Sequence, residues 1–331
     1  VTRIGVVAIG RNEGERLVRC LASARGGARR VVYVDSGSSD GSVAAAREAG
    51  ADVVALPPSA PFTAARARNA GFARLLELEP EIDWVQFVDG DCEIVPEWWG
   101  ALGARLPGDA RTAVVCGRRR ERHPRASLYN LLCDLEWDTP IGRAEACGGD
   151  AVMRVAALRD VGGFDPAMIA GEEPELCFRL RAAGWVIERI ASEMTLHDAA
   201  MTSFRQWWRR SMRAGHAYAE NFALHGRSPE RFKARELRSI VAWGGALPVL
   251  AVCLAPLTSG LSLGALAAAY GVLFARVFRA RRERGDAGAD AGRYAAFVVI
   301  GKWAQLAGVA WYAWNRARGH RAGLIEYKAA P

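Results

Sequence analysis

The sequence predicts an α/β protein: a doubly wound, mostly parallel sheet followed by a helical, membrane-associated C-terminal region. Three observations predict it. Short apolar runs alternate with segments of helical spacing from Ile4 onward. One such run, Trp84 to Val88, ends in Asp89-Gly90-Asp91, two carboxylates separated by one glycine. From Ser239 to Ala275 there is no charged residue, a run long enough for two membrane crossings.

The elements follow in order. Ile4–Ile9 reads as a buried strand and Gly10–Glu15 as a polar turn. Arg16–Ala24 carries Leu17, Cys20, Leu21 and Ala24 at helical spacing, and Gly26-Gly27 stops it. Val31–Val34 is a second strand, ending in Asp35-Ser36-Gly37-Ser38-Ser39-Asp40-Gly41. A helix over Ser42–Ala49, a third strand over Asp52–Leu56 and a helix over Ala64–Leu78 precede the Trp84 strand.

Ligands in open α/β sheets bind beyond the carboxyl ends of the strands, which puts Asp89 and Asp91 where a ligand sits. Gly90 leaves room for close approach. Two hard oxygen donors at this spacing hold Mg2+ or Mn2+, and such an ion holds a diphosphate. An Asp-Gly turn joining two strands is the competing reading. Asp35 is placed to accept from a base N–H or a ribose hydroxyl; helix capping is the alternative, and Asp40 suits it better. No Gly-x-Gly-x-x-Gly and no Gly-Lys-Ser/Thr occurs, so Rossmann cofactors and P-loop nucleotides lack their signatures.

The chain has 331 residues and a formal net charge of +8, which fits nucleic acid, anionic lipid or a phosphorylated substrate. Its arginines crowd beside the apolar C-terminal segments, and zinc-finger and leucine-zipper spacings are missing, so nucleic acid is not the expected partner. Seven scattered cysteines without Cys-x-x-Cys predict reduced thiols and a cytosolic catalytic part. The sequence opens on a strand, so no signal peptide is expected.

Four ordered motifs resemble glycosyltransferase family 2. They are Ala8-Ile9-Gly10-Arg11-Asn12-Glu13, Val34 to Gly41, Ala67-Arg68-Asn69-Ala70-Gly71 and Val88-Asp89-Gly90-Asp91. The resemblance implies the GT-A fold, a nucleotide-sugar donor and a divalent metal, Mn2+ or Mg2+. It places Ala8, Glu13 and Asp35 on the donor, the latter two at its uridine part, and Arg68 and Asn69 near the base and diphosphate. Asp91 would hold the metal, and Asp89 the ribose or the metal. Cys147-Gly148-Gly149-Asp150-Ala151 looks like the family's acceptor-side loop, which singles out Gly149 and Asp150. The family's Glu-Asp-x-Asp-Leu segment reads Glu172-Glu173-Pro174-Glu175-Leu176 here, which makes Glu173 the base of an inverting enzyme, with Glu172 the alternate. A late histidine in such enzymes often ligates the metal; His197 is the candidate, with Asp198 to orient it. Gln206, Trp207 and Arg209 resemble the Gln-x-x-Arg-Trp segment of processive members, but Arg210 replaces the final Trp and weakens a polymer-synthase reading.

The residues themselves constrain these roles. Pro174 suits a first helical turn and pushes Glu173 towards an extended backbone at a helix N-terminus, where the dipole favours its ionised form. A base must be ionised to accept a proton. Acidic residues merely decorating a helix start, and a solvated helix face for Arg68, are the plain alternatives. Val186–Ile190 reads as an edge strand. Trp207 and Trp208 suit sugar stacking or a membrane interface, and Arg209, Arg210 and Arg213 suit phosphate or anionic lipid.

Beyond Ser239, Ile240–Leu257 and Leu261–Phe278 read as a transmembrane hairpin turning at Thr258-Ser259-Gly260. Arginines flank both ends, so both face the cytoplasm with the catalytic domain. Tyr294–Asn315 is a third apolar segment broken by Lys302. A full span would leave Arg316, Arg318 and Arg321 outside, which an interfacial or re-entrant helix avoids. A buried helical domain is the alternative for the whole region. The expected organisation is a catalytic domain over 1–200, amphipathic interface helices over 201–238 and membrane helices over 239–331. The expected activity is inverting transfer from a UDP-sugar to a lipid-linked or saccharide acceptor. A polyprenyl-phosphate acceptor, already ionised, would need no base. A sugar-nucleotide nucleotidyltransferase and a non-catalytic membrane scaffold are the rival readings.

Overall fold

The computed structural model describes residues 2–59, 61–106, 108–320 and 323. The chain forms two compact units, Val1–Arg125 with Glu136–Ala200, and Ala126–Leu135 with Met201–Pro331.

The first unit begins with β1 (Ile4–Gly10), α1 (Glu15–Ala24), β2 (Arg30–Asp35), α2 (Ser42–Glu48), β3 (Asp52–Ala55), α3 (Ala64–Leu78) and β4 (Trp84–Asp89). It continues with β5 (Cys92–Ile94), α4 (Pro96–Arg105) and β6 (Thr112–Glu121). The helix α5 (Leu128–Trp137), whose residues up to Leu135 belong to the second unit, precedes β7 (Gly142–Arg143), β8 (Ala151–Arg154), α6 (Val155–Asp160), α7 (Glu172–Ala182) and β9 (Val186–His197) of the first. The nine strands form one sheet in the order β3-β2-β1-β4-β8-β6-β9-β5, with β7 on β9. The longer pairings are parallel; β8 lies antiparallel between β4 and β6.

Helices cover both faces of the first strands, which is why those strands are apolar runs without alternation: Val6, Val7, Ala8, Val32 and Val34 are fully buried. α3 closes onto them through Gly71, where a Cβ would come within 2.3 Å of Val7 Cγ1. The chain moves outward from β1 to β2 and β3, then crosses back to place β4 on the other side of β1. The strand order therefore reverses between β1 and β4, and their carboxyl ends form the crevice where such sheets bind ligands. Ile9 and Asp89 are register partners there.

The structure removes one competing reading and changes one expectation. β5 pairs with β9 rather than β4, so Asp89-Gly90-Asp91 does not close a hairpin. Gly90 serves the packing: its N–H donates to Ile9 O at 2.7 Å, and a Cβ would stand 3.1 Å from that oxygen. The strand after Trp185 is no short edge strand. β9 runs to His197 with β6 on one side and β5 and β7 on the other, and register shifts against β6 interrupt its alternation.

The second unit holds α8 (Phe204–His225), α9 (Ala234–Val241), a π turn (Ala242–Ala246), α10 (Leu247–Leu254), α11 (Leu261–Glu283) and α12 (Gly288–Ala317). α12 lies along α8 through glycines. A Cβ on Gly308 would fall 1.9 Å from Met212 O, and one on Gly215 2.0 Å from Gln305 O. Among the described residues, two helices are long and apolar enough to cross a membrane: Ala234–Leu254, whose most apolar 18-residue window has mean hydropathy 1.8, and Leu261–Glu283, with 1.7. The first starts before Ile240 because Arg235 and Arg238 are already helical. Its π turn widens the helix just before Pro248, whose missing N–H breaks the regular ladder. Val249, Leu250, Val252, Leu257 and Leu261 are each more than half exposed, which is unlike a buried helical domain. The third apolar segment is part of one continuous 30-residue helix. Arg321 lies outside the described residues.

Candidate active site

The carboxyl ends of β1 and β4 carry the site. Asn12 and the β2 loop clasp each other: Ser39 N–H donates to Asn12 Oδ1 at 2.8 Å, and Asn12 N–H to Ser38 Oγ at 2.9 Å. Glu13 lies against Gly90 and pairs with Arg16 at 2.9 Å. Asp35 is buried, and its carboxylate accepts from Gly37 N–H, Ser38 N–H and the Tyr33 hydroxyl. Ala8 is fully buried in β1 between Tyr33 and Val88, so its side chain belongs to the core and not to a donor surface.

Arg68 is the hub. It projects from α3, is 2 % exposed, and contacts Asp89 at 2.9 Å, Glu172 at 2.8 Å and Glu173 at 3.1 Å. The solvated-face reading is therefore wrong: only carboxylates offset the cost of burying this guanidinium. Burial works against its charge, but Glu173, Asp89 and Glu172 outweigh it and hold it protonated. Asn69, next to it, is committed to the backbone, exchanging hydrogen bonds with Phe164 N–H at 3.0 Å and Phe164 O at 2.7 Å.

A second arginine that the sequence did not single out, Arg119 of β6, links Asp89 at 3.3 Å to Asp150 at 2.9 Å. Asp150 is buried, accepting also from Asp89 N–H at 3.0 Å and Thr195 Oγ1 at 2.6 Å. It braces β4 against its neighbours and does not face an acceptor. Gly149 does border the cleft: a Cβ there would meet Arg68 Nη2 at 2.6 Å and Asp89 Oδ2 at 2.7 Å.

Glu172 and Glu173 open α7, so Glu173 is helical rather than extended. Pro174 falls in the first turn, where its missing N–H costs nothing. The expected effect of the dipole is also reversed. Burial and the adjacent Glu172 carboxylate push the Glu173 carboxyl up to about 7, against the pull of Arg68. That is where a general base working near neutrality belongs.

Asp91 and His197 meet because Cys92 and His197 are register partners, as are Glu121 and His197. Asp91 Oδ2 stands 3.3 Å from His197 Nε2, with both side chains buried. His197 Nδ1 faces Glu121 Oε2 at 3.4 Å, so Glu121 and not Asp198 is the orienting partner. Trp137 lies edge-on to the imidazole, with ring centres 4.8 Å apart. One carboxylate oxygen and one imidazole nitrogen at this separation fit a single borderline divalent ion. Cys92 falls in the same cluster; its buried thiol is a soft donor, which hard ions such as Mg2+ and Mn2+ disfavour against carboxylate oxygen.

Gln206, Trp207 and Arg209 belong to the second unit. Gln206 completes a capping box with Ser203 at the start of α8. Trp207 is buried and packs on Phe297 with ring centres 4.8 Å apart. Its face is covered by protein, which removes it as a sugar platform. Arg209 is half-buried on the same helix.

A mixed, mostly parallel α/β sheet with an acidic crevice at its switch point is the GT-A architecture. Residues 6–155 match the model of glycosyl transferase family 2. It is 29% identical over 225 residues to a pre-mycofactocin glycosyltransferase of Mycobacterium tuberculosis, covering 60% of this chain and 43% of that protein. The chain thus spans less than half the length of the curated relatives it matches first. A mannosyltransferase from Pyrobaculum calidifontis, solved in complex with GDP-Man and Mn2+, shares the fold with TM-score 0.62 and 19% identity. That match covers 95% of this chain and 88% of the other.

Proposed function

We propose that the protein is a membrane-associated, metal-dependent inverting glycosyltransferase that moves a sugar from a UDP-sugar to a lipid-linked or saccharide acceptor. The observation that carries this reading is the buried Asp91–His197 pair in the same crevice as the Arg68–Glu173 pair. The solved mannosyltransferase of similar fold, bound to GDP-Man and Mn2+, supports a nucleotide-diphosphate donor and a divalent ion.

Asp91 and His197 would hold the ion, with Glu121 fixing the imidazole so that Nε2 keeps its lone pair for the site. Bound there, Mn2+ or Mg2+ supplies Lewis-acid stabilisation of the departing diphosphate. Arg68 and Arg119 pin Asp89 at the crevice, where it is placed for the ribose or the ion. Gly149 keeps that floor open. Glu173, ionised above about pH 7, takes the proton of an acceptor hydroxyl. The acceptor oxygen attacks the anomeric carbon opposite the diphosphate, the bond to the diphosphate oxygen breaks, and the configuration inverts.

The two apolar helices favour a lipid-borne acceptor and a catalytic unit held at the cytoplasmic face, where arginines flank the predicted hairpin. If that acceptor is a lipid phosphate, its nucleophile is already ionised and Glu173 has no proton to remove. The test is hydrolysis and transfer across a panel of nucleotide-sugars, GDP-linked ones included, with and without Mn2+. The proposal expects one UDP-sugar to be consumed only with metal. Consumption that ignores both metal and the Asp91→Asn change would refute it.

A further inference from the structure

The sugar-transfer chemistry gives no role to Lys302. Lys302 lies within the otherwise apolar stretch Tyr294–Asn315, and its ammonium donates to Ser239 Oγ of α9 at 3.1 Å. Among the described residues no carboxylate lies within ion-pair distance of it. From beyond that distance the Glu236 carboxylate of the same cavity offsets part of the ammonium's charge, and a further anion would offset the remaining cost of burying it.

The surroundings supply room and further positive charge. Lys302, Ser239, Arg235, Gln305 and Tyr218 line a cavity of about 290 Å3. Arg235 makes no ion pair among the described residues. Glu236 also borders the cavity, but Lys233 stands 3.4 Å from its carboxylate. A second groove of about 470 Å3 along the same helix is lined by Arg227, Arg231 and Arg238.

The position of the cavity selects among anions. Ser239 is where the uncharged run begins. Trp303, beside Lys302, is 40% exposed and lies 5.7 Å from Tyr270, whose ring lies 5.7 Å from Trp243. Trp243 lies near the start of the first apolar helix, where Trp and Tyr side chains mark headgroup depth in a bilayer. Basic side chains at that depth meet lipid phosphates.

We propose that the cavity is a binding site for a lipid-borne phosphate, held by Lys302 and Arg235 and by the Ser239 and Gln305 side chains. A phosphate oxygen accepts from each of these groups, and charge-assisted bonds of this kind are the strong ones. The site rests on the membrane reading of the two apolar helices and not on the sugar-transfer chemistry.

The test uses the full chain in a non-ionic detergent and reads the unfolding midpoint during titration with lysophosphatidic acid, lysophosphatidylcholine or inorganic phosphate. Lysophosphatidic acid should raise the midpoint saturably, and the other two should not at equal concentration. Lys302→Met should fold and bind lysophosphatidic acid about tenfold or more weakly, the worth of one charge-assisted bond. If that variant fails to fold, Arg235→Met, at an exposed side chain, carries the same comparison. An equal midpoint rise in wild type and variants, or no rise with lysophosphatidic acid, overturns the site. An equal, Lys302-dependent rise with inorganic phosphate overturns the lipid assignment. Failure of the full chain to float with phosphatidylglycerol vesicles overturns the membrane reading beneath it, separately from any result on sugar transfer.

Discussion

Removing Arg68 should expose how the crevice is held together. The guanidinium is 2 % exposed and lies within 3.1 Å of three carboxylates, those of Asp89, Glu172 and Glu173. Methionine in its place keeps the bulk and removes the counter-charge. Taking one partner from a buried ion pair costs about 3–5 kcal/mol, because the other charge is left uncompensated. The carboxylates can escape part of this by binding protons, and Glu173 is the first to do so because its pKa is already raised to about 7. Loss of Arg68 raises it further. A carboxyl with a raised folded-state pKa contributes stability below its unfolded value of 4.5, and that contribution is lost as pH rises through the folded value. The cost of Arg68→Met should therefore be larger at pH 8 than at pH 5.5, and adding Glu173→Gln should recover part of it at pH 8. Chemical denaturation of the purified chain at the two pH values measures this. A variant as stable as wild type at pH 8, or a pH trend of the opposite sign, would refute the reasoning.

Three further outcomes follow. Glu173→Gln should lower kcat for a hydroxyl acceptor by about 10²–10⁴-fold, and wild-type activity should fall as pH drops below about 7; unchanged turnover would mark an acceptor that arrives ionised. Glu121→Gln should weaken Mn2+ affinity by about 10–100-fold through its hold on His197, while binding of nucleotide without metal stays as it was. In the second unit, burial and Arg213 push His216 down to about 4. The unfolded chain then takes up the proton first, so acidification from pH 6.5 to about 4 should cost about 3 kcal/mol, a loss that His216→Gln should not show.

The parallel half of the sheet was legible because its strands are buried on both faces and read as unbroken apolar runs between glycine stops. Asp91 and Glu173 could be singled out as candidates because each belongs to a short contiguous motif. The rest of the crevice comes from far along the chain. Arg119 sits in the triplet Arg118-Arg119-Arg120, which reads as a solvated charge run. Only the pairing of β6 with β9 shows that Arg119 turns to Asp89 and Asp150 while Arg120 pairs with Glu193. Glu121 reaches His197 across the same two strands, and the register shifts there hide the alternation that marks β9 as one long strand. Asp198, adjacent in sequence, was the wrong partner for that reason. Gln206 had a readable signal, since Ser203-x-x-Gln206 is a capping box before an apolar-periodic helix. Ser239 and Lys302 are 63 residues apart, and only the packing of α12 beside α9 brings them together.

The account stands on one divalent ion shared by Asp91 and His197 and a nucleotide diphosphate. Calorimetric titration of UDP into the full chain, with and without Mn2+, tests it most directly when wild type and Asp91→Asn are compared. Tighter UDP binding with Mn2+ in wild type, abolished in the variant, is the predicted result. The same Mn2+ enhancement in both proteins, or none in wild type, would contradict it.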